Sequence, residues 1–478
     1  MLFNTIEFAL FFPLIFVLYW FVCNKNLKIQ NILLLVSSYY FYACWDYRFL
    51  FLLFFSTFLD YFTAIKISDS KNDKLKTFWF WLSISVNLGF LGFFKYYNFF
   101  IISFQELFSN FNIHINTWTL KIILPVGISF YTFHGLSYVI DIYKGRIKPE
   151  KNFVDYSVFV SFFPLLVAGP IERATHLLPQ IKKARIFSYS KSVDGLRQIL
   201  WGLFKKIVIA DQCAEHANLI FNNHEDYSSL GLVMGAILFA FQIYGDFSGY
   251  SDIALGTARL LGIELLRNFA FPYFSRDIAE FWRRWHISLS TWFKDYLYIP
   301  LGGSKGGTWM RVRNIFIIFL VSGFWHGANW TFIVWGFLNA LFIMPSIVFN
   351  TNRNNLEIVA QNSKLPNLKE LFSIITTFSL TTFAWIFFRS LNLTQALNYI
   401  YGIFSFQIGK TELKLRKDLI ICIIVFILIE WIGRREQFAL AKFGLKWNSY
   451  IRLTFYFILI IALFWFGGKE QQFIYFDF

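Results

Sequence analysis

The sequence predicts an all-α protein that crosses a membrane many times. Of its 478 residues, 56% are hydrophobic and only 15% are charged, whereas a typical soluble domain has about 25% charged residues. Apolar runs of about 15 to 25 residues recur along the chain, which suits helices that cross a hydrocarbon layer roughly 30 Å thick. These runs are continuous rather than alternating, so they favour a polytopic helical bundle over a membrane β-barrel. We expect one membrane domain over residues 1–478, with roughly eleven to thirteen transmembrane or re-entrant helices.

The charge of the chain is strongly positive, with a formal net charge of +15. In a soluble protein such a charge could indicate nucleic-acid binding. Here the Lys and Arg residues lie mainly in short connections between apolar runs, where they set the orientation of a membrane protein. We therefore expect membrane lipids as partners and no nucleic acid, while contacts with anionic headgroups or with a phosphate-bearing donor stay open.

The cysteines give no sign of a metal site or of a disulfide framework. Cys23, Cys44, Cys213 and Cys422 are far apart in the sequence and form no CxxC motif. We expect no metal and no bound cofactor. The first apolar run, Ile6 to Val22, has no preceding basic residue and no cleavage site, so we interpret it as a retained span rather than a signal peptide.

The most informative stretch surrounds His326, which lies between the apolar runs 315–321 and 331–348. Loss of water disfavours a charged imidazole, and a neutral imidazole can act as a general base. Gly323 and Gly327 would allow another chain or a thin ligand to approach closely. A buried structural histidine bonded to a neighbouring carbonyl is the alternative, and this stretch alone leaves both interpretations open.

A second stretch, Phe281 to Tyr296, has the periodicity of one amphipathic helix. Its apolar face would contain Phe281, Trp282, Trp285, Leu289, Trp292 and Tyr296. His286 falls at the edge of that face, where its ring could point into a cavity while the helix rests at the membrane interface. An interfacial histidine without a role in chemistry is the alternative.

A cluster of polar residues, Asp246 to Asp252, directly follows a predicted span at Leu230 to Tyr244. Ser251 or Asp252 could cap a helix that starts near Ile253 by accepting its free N–H groups. The same residues could instead line a cavity, and the two interpretations carry equal weight.

Three further buried or charged side chains are predicted to have structural roles. Asp60 lies within an apolar run and should face the bundle, because a carboxylate facing lipid would be costly. His134 lacks flanking residues of a catalytic type, so we interpret it as structural. Glu172 beside Arg173 predicts an ion pair at the membrane edge, with a headgroup or donor site as the alternative.

An amphipathic stretch, Val193 to Ala210, carries Lys205 and Lys206 within an apolar pattern. Such a pattern is typical of a helix that lies along the membrane interface with its charges in water. We therefore expect this stretch to rest on the interface rather than to cross the membrane.

Taken together, these motifs resemble the membrane-bound O-acyltransferase family, and most closely its branch of alginate O-acetylation proteins. The matching segments are GDFSGYSD at 245–252, FWRRWHISLS at 281–290 and SGFWHG at 322–327, with MLFN at 1–4 and IYFDF at 474–478. The resemblance covers nearly the whole chain, and its core motif region is at about 120–350.

The resemblance implies a compact helical bundle around a channel through the membrane. His326 matches the catalytic histidine of the family, deep in that channel, and His286 matches its second active-site position. We also expect the channel to be lined by Trp285, Trp325, Asn329, Ser322, Asp246 and Tyr250.

The same resemblance implies an acyltransferase of the bacterial cytoplasmic (inner) membrane. It would take an acetyl group from a cytoplasmic donor, acetyl-CoA, and pass it outward to a periplasmic or membrane-anchored SGNH-type acetyltransferase. That partner would acetylate an extracytoplasmic polysaccharide resembling alginate, peptidoglycan or cellulose. The alternatives are D-alanyl transfer to a cell-envelope polymer and transport of a lipid or glycan. A transporter would predict paired broken helices in related halves of the chain, and the sequence shows no such symmetry.

Overall fold

The computed structural model describes residues 1–113, 119–166, 169–406, 415–468 and 471–476, and the regular structure in these ranges is helical. The α-helices are α1 (Ile6–Val17), α2 (Leu27–Asp46), α3 (Leu50–Asp69), α4 (Asp73–Leu91), α5 (Tyr97–Ser109), α6 (Ile128–Tyr143), α7 (Phe153–Ser161), α8 (Phe163–Leu166), α9 (Ala174–Ile181), α10 (Tyr189–Leu203), α11 (Asp211–Asn222), α12 (Ser229–Leu260), α13 (Ile278–Arg284), α14 (Ile287–Phe293), α15 (Gly307–His326), α16 (Trp330–Val348), α17 (Leu368–Arg389), α18 (Leu393–Phe404), α19 (Lys417–Gly433) and α20 (Ser449–Phe466). Single π-helical turns occupy Leu18–Val22, Gly92–Tyr96, Phe204–Ala210 and Lys294–Tyr298, and 3₁₀ turns occupy Tyr47–Phe49, His224–Asp226, Pro272–Phe274 and Ile474–Phe476.

Six helical stretches in the described ranges are long and apolar enough to cross a membrane. They are Leu27–Asp69, Asp73–Ser109, Ser229–Leu260, Trp330–Val348, Leu368–Arg389 and Ser449–Phe466. Large apolar side chains on α20 point away from the protein, such as Phe464, which is 82% exposed, and lipid is the medium that such a surface needs. These findings confirm a multi-pass helical membrane protein. The total of eleven to thirteen membrane-embedded helices stays a prediction.

The backbone forms two compact units. The first comprises Met1–Ser192 and Thr257–Leu266, and the second comprises Val193–Gly256 and Arg267–Phe478. The single domain expected from the sequence stays a prediction. Because the motif histidines His286 and His326 both belong to the second unit, the candidate site can be described within that unit alone.

In the first unit, Asp60 has the structural role that the sequence predicts. It is 1% exposed, and its Oδ1 atom accepts hydrogen bonds from Ser83 Oγ at 2.6 Å and Asn87 Nδ2 at 2.7 Å. Both donors lie on α4, the neighbour of α3. The polar contacts therefore join these two helices in a region where an unsatisfied carboxyl group would be costly.

His134 is buried in the first unit and accepts a hydrogen bond from the backbone N–H of Glu172 at its Nε2 atom, at 3.1 Å. The carboxylate of Glu172, which is fully buried, pairs with His176 at 2.8 Å and accepts from the Leu266 N–H at 2.6 Å. The structural interpretation of His134 is thus confirmed. Glu172 joins three segments of the chain, its own segment with His176, the segment of His134 and the segment of Leu266, and the partner of its carboxylate is His176 and not Arg173, the partner predicted from the sequence.

In the second unit, α15 and α16 form a tight hairpin around the His326 motif. A Cβ atom on Gly323 would lie 2.2 Å from the backbone oxygen of Phe332, and one on Gly336 would lie 2.3 Å from that of Phe319. Only glycine fits at these two positions, because any Cβ atom would overlap a backbone oxygen of the facing helix. Small residues of this kind allow membrane helices to pack closely. The apolar core shared by α13, α15 and α16 contains Ile278, Ala279, Ile315, Phe319, Ala340, Ile343 and Ile347.

Of the two interpretations of the polar cluster at 246–252, the helix cap at Ser251 or Asp252 is wrong. Helix α12 runs unbroken from Ser229 to Leu260, so no helix begins near Ile253. The polar cluster lies inside this helix because its acidic residues meet buried cations: Asp252 pairs with Lys205 at 2.6 Å, and Asp246 pairs with Lys206 at 2.8 Å. The carboxylates are satisfied by ion pairs and do not need helix N–H groups.

The segment Val193 to Ala210 was predicted to lie along the membrane interface with its lysines in water, and the burial of these lysines contradicts that prediction. Lys205 and Lys206 are 3% and 1% exposed and lie in the π-helical turn Phe204–Ala210 that continues α10. Their ammonium groups are buried against α12 instead of reaching water, because the carboxylates of Asp246 and Asp252 face them. The π-helical turn Phe204–Ala210 therefore belongs to the interior of the second unit, whereas Val193 and Leu196, earlier in the segment, are exposed.

Candidate active site

The sequence around His286 forms two short helices rather than the one amphipathic helix that its periodicity predicts. Helix α13 ends at Arg284 and α14 begins at Ile287, while His286 itself adopts left-handed backbone angles, with φ 43° and ψ 55°. Backbone hydrogen bonds fix the break: Ala270 N donates to Arg284 O, and Ile287 N donates to Asn268 O, both at 2.9 Å. The prediction is wrong because these tertiary contacts outweigh the local helical pattern.

The left-handed turn buries the imidazole of His286, which is 1% exposed. Its ring stands edge-on to Phe247, with 4.7 Å between ring centroids and 85° between ring planes. Neither ring nitrogen has a hydrogen-bond partner among the residues that the structure describes. Leaving a buried polar group unsatisfied costs about 1–3 kcal/mol, so both ring nitrogens are available to bind a substrate or a water molecule.

His326 is the last residue of α15 and is 4% exposed. Its ring is surrounded by aromatic side chains from three directions. Trp335 of α16 stands perpendicular to it at 5.2 Å, Phe388 of α17 lies at 5.5 Å, and Tyr475 lies at 5.7 Å. The imidazole therefore lies in an environment from which water is largely excluded, where a neutral base is favoured and electrostatic interactions with a substrate are strengthened.

The two histidines belong to one cluster of aromatic rings. Trp325 lies 4.8 Å from His326 and 6.3 Å from His286. On the other side, Phe247 contacts His286 at 4.7 Å and Tyr475 at 4.6 Å, and Tyr475 contacts His326. We call His286, Trp325, His326, Tyr475 and Phe247 the five-ring cluster. The fold thus brings two imidazoles from separate motifs into contact with the same indole ring, that of Trp325.

Tyr475 enters the five-ring cluster from a segment that contains no long helix, residues 471–476. Its neighbours Phe473 and Ile474 are 0% and 4% exposed, whereas Tyr475 is only partly buried. The sequence motif at 474–478 pointed to this segment without giving Tyr475 a role. Its last two residues, 477 and 478, lie outside the described part of the chain.

Three of the other predicted channel residues, Trp285, Asp246 and Tyr250, contact residues at or next to the five-ring cluster. Trp285 directly precedes His286 and packs against Trp385 at 5.1 Å. Asp246 and Tyr250 lie one helical turn apart on α12 and contact the 471–476 segment: Asp246 accepts the Ile474 N–H at 2.8 Å, and Tyr250 packs on Phe473 at 4.4 Å. Asp246 and Tyr250 thus hold the segment that carries Tyr475, and a place for these three residues in a substrate channel stays a prediction.

Asn329 and Ser322 are further from the rings. Asn329 caps α16 by accepting the Thr331 N–H at 3.0 Å, and its amide nitrogen donates to Leu391 O at 2.7 Å. Ser322 is 6% exposed, one turn before His326 on α15. The capping contacts account for Asn329, and a place for either residue in a substrate channel stays a prediction.

Sequence reasoning missed three rings that define the site: Phe247, Trp335 and Phe388. Trp335 and Phe388 lie within apolar helices, where their spacing is the same as that of ordinary core residues, and Phe247 lies within the polar cluster at 246–252, where attention fell on its polar neighbours. Only the position of His326 in three dimensions distinguishes them. Both histidines are almost fully buried, and the channel that the resemblance implies around them stays a prediction.

Comparison of the sequence with known proteins gives separate evidence about the family and the activity. The family model described as MBOAT, membrane-bound O-acyltransferase family, matches residues 148–387, a range that contains both histidines. A Pseudomonas putida protein named "Probable alginate O-acetylase AlgI" is 33% identical over 98% of this chain and 98% of its own length. A Helicobacter pylori peptidoglycan O-acetyltransferase is 35% identical over 84% of this chain and 79% of its own.

A more distant relative carries a different acyl group in its name. The Bacillus subtilis teichoic acid D-alanyltransferase is 30% identical over 45% of this chain and 57% of its own length. All three relatives are acyltransferases by name, and a buried histidine pair in a water-poor aromatic setting suits acyl transfer. The chain therefore belongs to the membrane-bound O-acyltransferase family, and it is an acyltransferase.

Proposed function

We propose that this protein transfers an acetyl group from cytoplasmic acetyl-CoA across the bacterial inner membrane, for O-acetylation of an extracytoplasmic polysaccharide. A periplasmic or membrane-anchored SGNH-type acetyltransferase completes the transfer to the polymer. The observation that carries this proposal is the burial of His286 and His326 in one aromatic cluster of a multi-pass membrane protein.

The two imidazoles can divide the chemistry of acyl transfer between them. His326 accepts the proton of the acyl acceptor's hydroxyl group, while the oxygen of that hydroxyl group bonds to the thioester carbonyl carbon. The N–H of a neutral His286 donates to the carbonyl oxygen, where negative charge develops. When the C–S bond breaks, the proton held by His326 passes to the leaving thiolate. The products are an acetyl ester and free CoA, and exclusion of water limits hydrolysis.

Acetyl is favoured over D-alanyl by the extent of the matches. The alginate and peptidoglycan O-acetyltransferases match 83–98% of this chain at 33–37% identity, whereas the teichoic acid D-alanyltransferase matches 45%. We therefore expect an acetyl group and a polysaccharide acceptor, with alginate-type and peptidoglycan-type polymers as the two acceptors to compare.

The test uses the purified protein in liposomes with acetyl-CoA labelled in its acetyl group. Release of free CoA is measured with a thiol reagent, and label is followed into alginate or peptidoglycan fragments when the SGNH-type partner is added. We expect CoA release, and polymer labelling that requires both proteins. Absence of both signals would contradict the proposal. A D-alanyl donor that is consumed when acetyl-CoA is not would identify the D-alanyl alternative, and glycan movement without CoA release would identify a transporter.

A further inference from the structure

A cavity of about 210 Å³ lies in the second unit between α17 and α19. Its lining extends from Phe241 of α12, which is 9% exposed, to Ile375 of α17, which is 55% exposed. Because Ile375 belongs to a stretch long and apolar enough to cross the membrane, the cavity borders the lipid hydrocarbon. We call it the α17–α19 cavity. The members of the five-ring cluster are not among its described lining residues.

The polar groups of the lining are bound to protein partners. Tyr244 Oη donates to Glu430 Oε2 at 2.6 Å, and Trp201 Nε1 donates to Glu430 Oε1 at 2.9 Å. Tyr273 Oη donates to the Ala240 carbonyl at 2.7 Å. An apolar cavity of about 150 Å³ stays dry and binds benzene, because a buried water molecule needs polar partners. The larger α17–α19 cavity therefore suits an alkyl chain.

A positively charged rim lies beside this cavity, at the end of α19. Phe274 lines the cavity and packs on Trp431 at 5.1 Å, and Trp431 Nε1 donates to the Lys364 carbonyl at 2.9 Å. The guanidinium of Arg434 lies 4.1 Å from the ring centroid of Trp431, and Arg435 follows it in the chain. Tryptophan and cations at a helix end are typical of the headgroup level of a membrane. Basic sites between membrane helices bind anionic headgroups.

The carboxylates in the same stretches of chain are paired with other cations. Glu370 lies 3.3 Å from Arg276, and Glu436 lies 3.0 Å from Lys442. Their charges are therefore compensated within the protein, and the rim keeps the positive charge that complements an anion.

The spacing of the rim and the cavity matches the two parts of one phospholipid. Ile427 lines the cavity, and Trp431 is one turn further along α19, which is about 6 Å along the helix axis. The phosphate of a phospholipid lies just beyond the start of its acyl chains, so one molecule meets both features. An uncharged alkane would use the cavity alone.

The inner wall of the cavity leads to one of the motif histidines. The rings of Tyr273 and Tyr244 lie 5.9 Å and 6.0 Å from the ring of Trp285, and Trp285 directly precedes His286. A void gives its lining no atoms to contact on one side. A chain that fills the cavity therefore supports both tyrosines, and through Trp285 it limits the movement of the turn at His286.

We propose that an anionic phospholipid binds between α17 and α19, with one acyl chain in the α17–α19 cavity and its phosphate at the rim formed by Lys364, Arg434 and Arg435. The bound lipid is not a substrate. It holds the wall behind His286, and this second role rests on the acyl transfer proposed above.

The binding test uses phosphatidylglycerol with a photoactivatable diazirine in one acyl chain, in liposomes of phosphatidylcholine. Phosphatidylcholine with the same labelled chain is the comparison, and peptide mass spectrometry locates the label. We expect label on Phe241, which an acyl chain reaches through the cavity, and about tenfold more of it from phosphatidylglycerol, because anionic lipid is attracted to several cations. Equal labelling of Phe241 by the two lipids, or none, would overturn the proposal.

Ile427→Trp tests the cavity, because the indole takes up volume that the chain needs. Labelling of Phe241 should fall by about tenfold or more, as expected for overpacking of a filled site. The matched control is Ile421→Trp on the same helix, since Ile421 is 60% exposed and is not among the described lining residues. It should leave the labelling unchanged, and an equal loss in the control would overturn the assignment to the cavity.

Lys364→Glu tests the rim without disturbing the interior, because Lys364 is exposed. It remains informative if Ile427→Trp does not fold. Labelling by phosphatidylglycerol should fall by about tenfold, the effect of reversing one charge beside an anionic lipid, whereas labelling by phosphatidylcholine should stay constant. Lys25→Glu, another exposed lysine, is the matched control and should change neither. Unaltered phosphatidylglycerol labelling in Lys364→Glu would overturn the phosphate site.

The activity test measures CoA release from acetyl-CoA in phosphatidylcholine liposomes with and without phosphatidylglycerol. We expect kcat to rise about fivefold or more with the anionic lipid, within the usual range of coupling between two sites. This rise should be absent in Ile427→Trp and present in Ile421→Trp.

The two tests separate this inference from the proposed function. If the wild type releases no CoA in either liposome, the proposed donor is wrong, and the labelling of Phe241 still decides whether the lipid binds. If CoA is released at the same rate with and without phosphatidylglycerol although Phe241 is labelled, the support of His286 by the lipid is overturned.

Discussion

The imidazole of His286 and the indole of Trp325 lie 6.3 Å apart between ring centroids, although they come from separate sequence motifs. Trp325 directly precedes His326, so this contact brings the two motif histidines into one cluster. The relationship depends on the backbone of His286, which adopts a left-handed conformation between two short helices. The left-handed backbone at this position therefore determines where the imidazole lies.

Substitutions at position 286 should separate the backbone requirement from the chemistry. His286→Asn should fold normally, because Asn tolerates left-handed angles, but its kcat should fall by about 10²-fold or more as the ring is lost. His286→Val should lose activity and also destabilise the protein by about 1–3 kcal/mol, because a β-branched residue is strained there. Thermal unfolding in detergent and initial rates with acetyl-CoA measure the two effects. Equal unfolding temperatures for the two variants would contradict the importance of the left-handed turn.

The close crossing of α15 and α16 gives a prediction about stability. Gly323→Ala places a Cβ atom 2.2 Å from the carbonyl oxygen of Phe332, so the helices must separate, at a cost of about 1–3 kcal/mol. Gly89→Ala is the matched control, because it is also inside a helix and its Cβ would have no neighbour within 4 Å. Unfolding temperatures should fall for the first variant and stay constant or rise for the second. A Gly323→Ala protein as stable as the control would show that the hairpin is looser than described.

The pair of His176 and Glu172 predicts a pH dependence of stability. The hydrogen bond to the Glu172 carboxylate raises the pKa of His176 above its usual value, against the opposing effect of burial. The stabilisation is therefore fully present below the unfolded pKa of about 6.5 and is lost as the pH rises through the folded pKa. His176→Gln should lower the unfolding temperature at pH 6 more than at pH 9. The difference should be less than about 1 kcal/mol, because His176 is partly exposed, and a larger loss at pH 9 would contradict the assignment.

Continuous apolar runs predicted membrane helices such as α16, because the length of an apolar run is a local property of the chain. The apolar run from Thr331 to Val348 corresponds to α16, Trp330–Val348. The structural role of Asp60 followed from its apolar surroundings, and that of His134 followed from its lack of flanking residues of a catalytic type. Where tertiary contacts decide the structure, the same reasoning was wrong. The break at His286 is fixed by two backbone hydrogen bonds, from Ile287 N–H to the Asn268 carbonyl and from Ala270 N–H to the Arg284 carbonyl, which no local pattern reveals.

Local sequence patterns were also insufficient for the charged residues of the second unit. The cluster at 246–252 has the composition of a helix cap, and the segment at 193–210 has that of an interfacial helix. Each interpretation assumed that the charges face water or free N–H groups. In the structure they face each other, as Lys205 with Asp252 and Lys206 with Asp246, and this pairing can be recognised only when both segments are seen together.

The central claim is that His326 is the base for acyl transfer, and His326→Ala tests it most directly. The variant removes the imidazole from a site in which its neighbours come from several helices, so the protein should still fold and be recovered from the membrane in normal amounts. Release of CoA from acetyl-CoA and labelling of the polysaccharide should both fall by at least about 10²-fold, the usual contribution of a general base. Full acetylation by a normally folded His326→Ala protein would contradict the account.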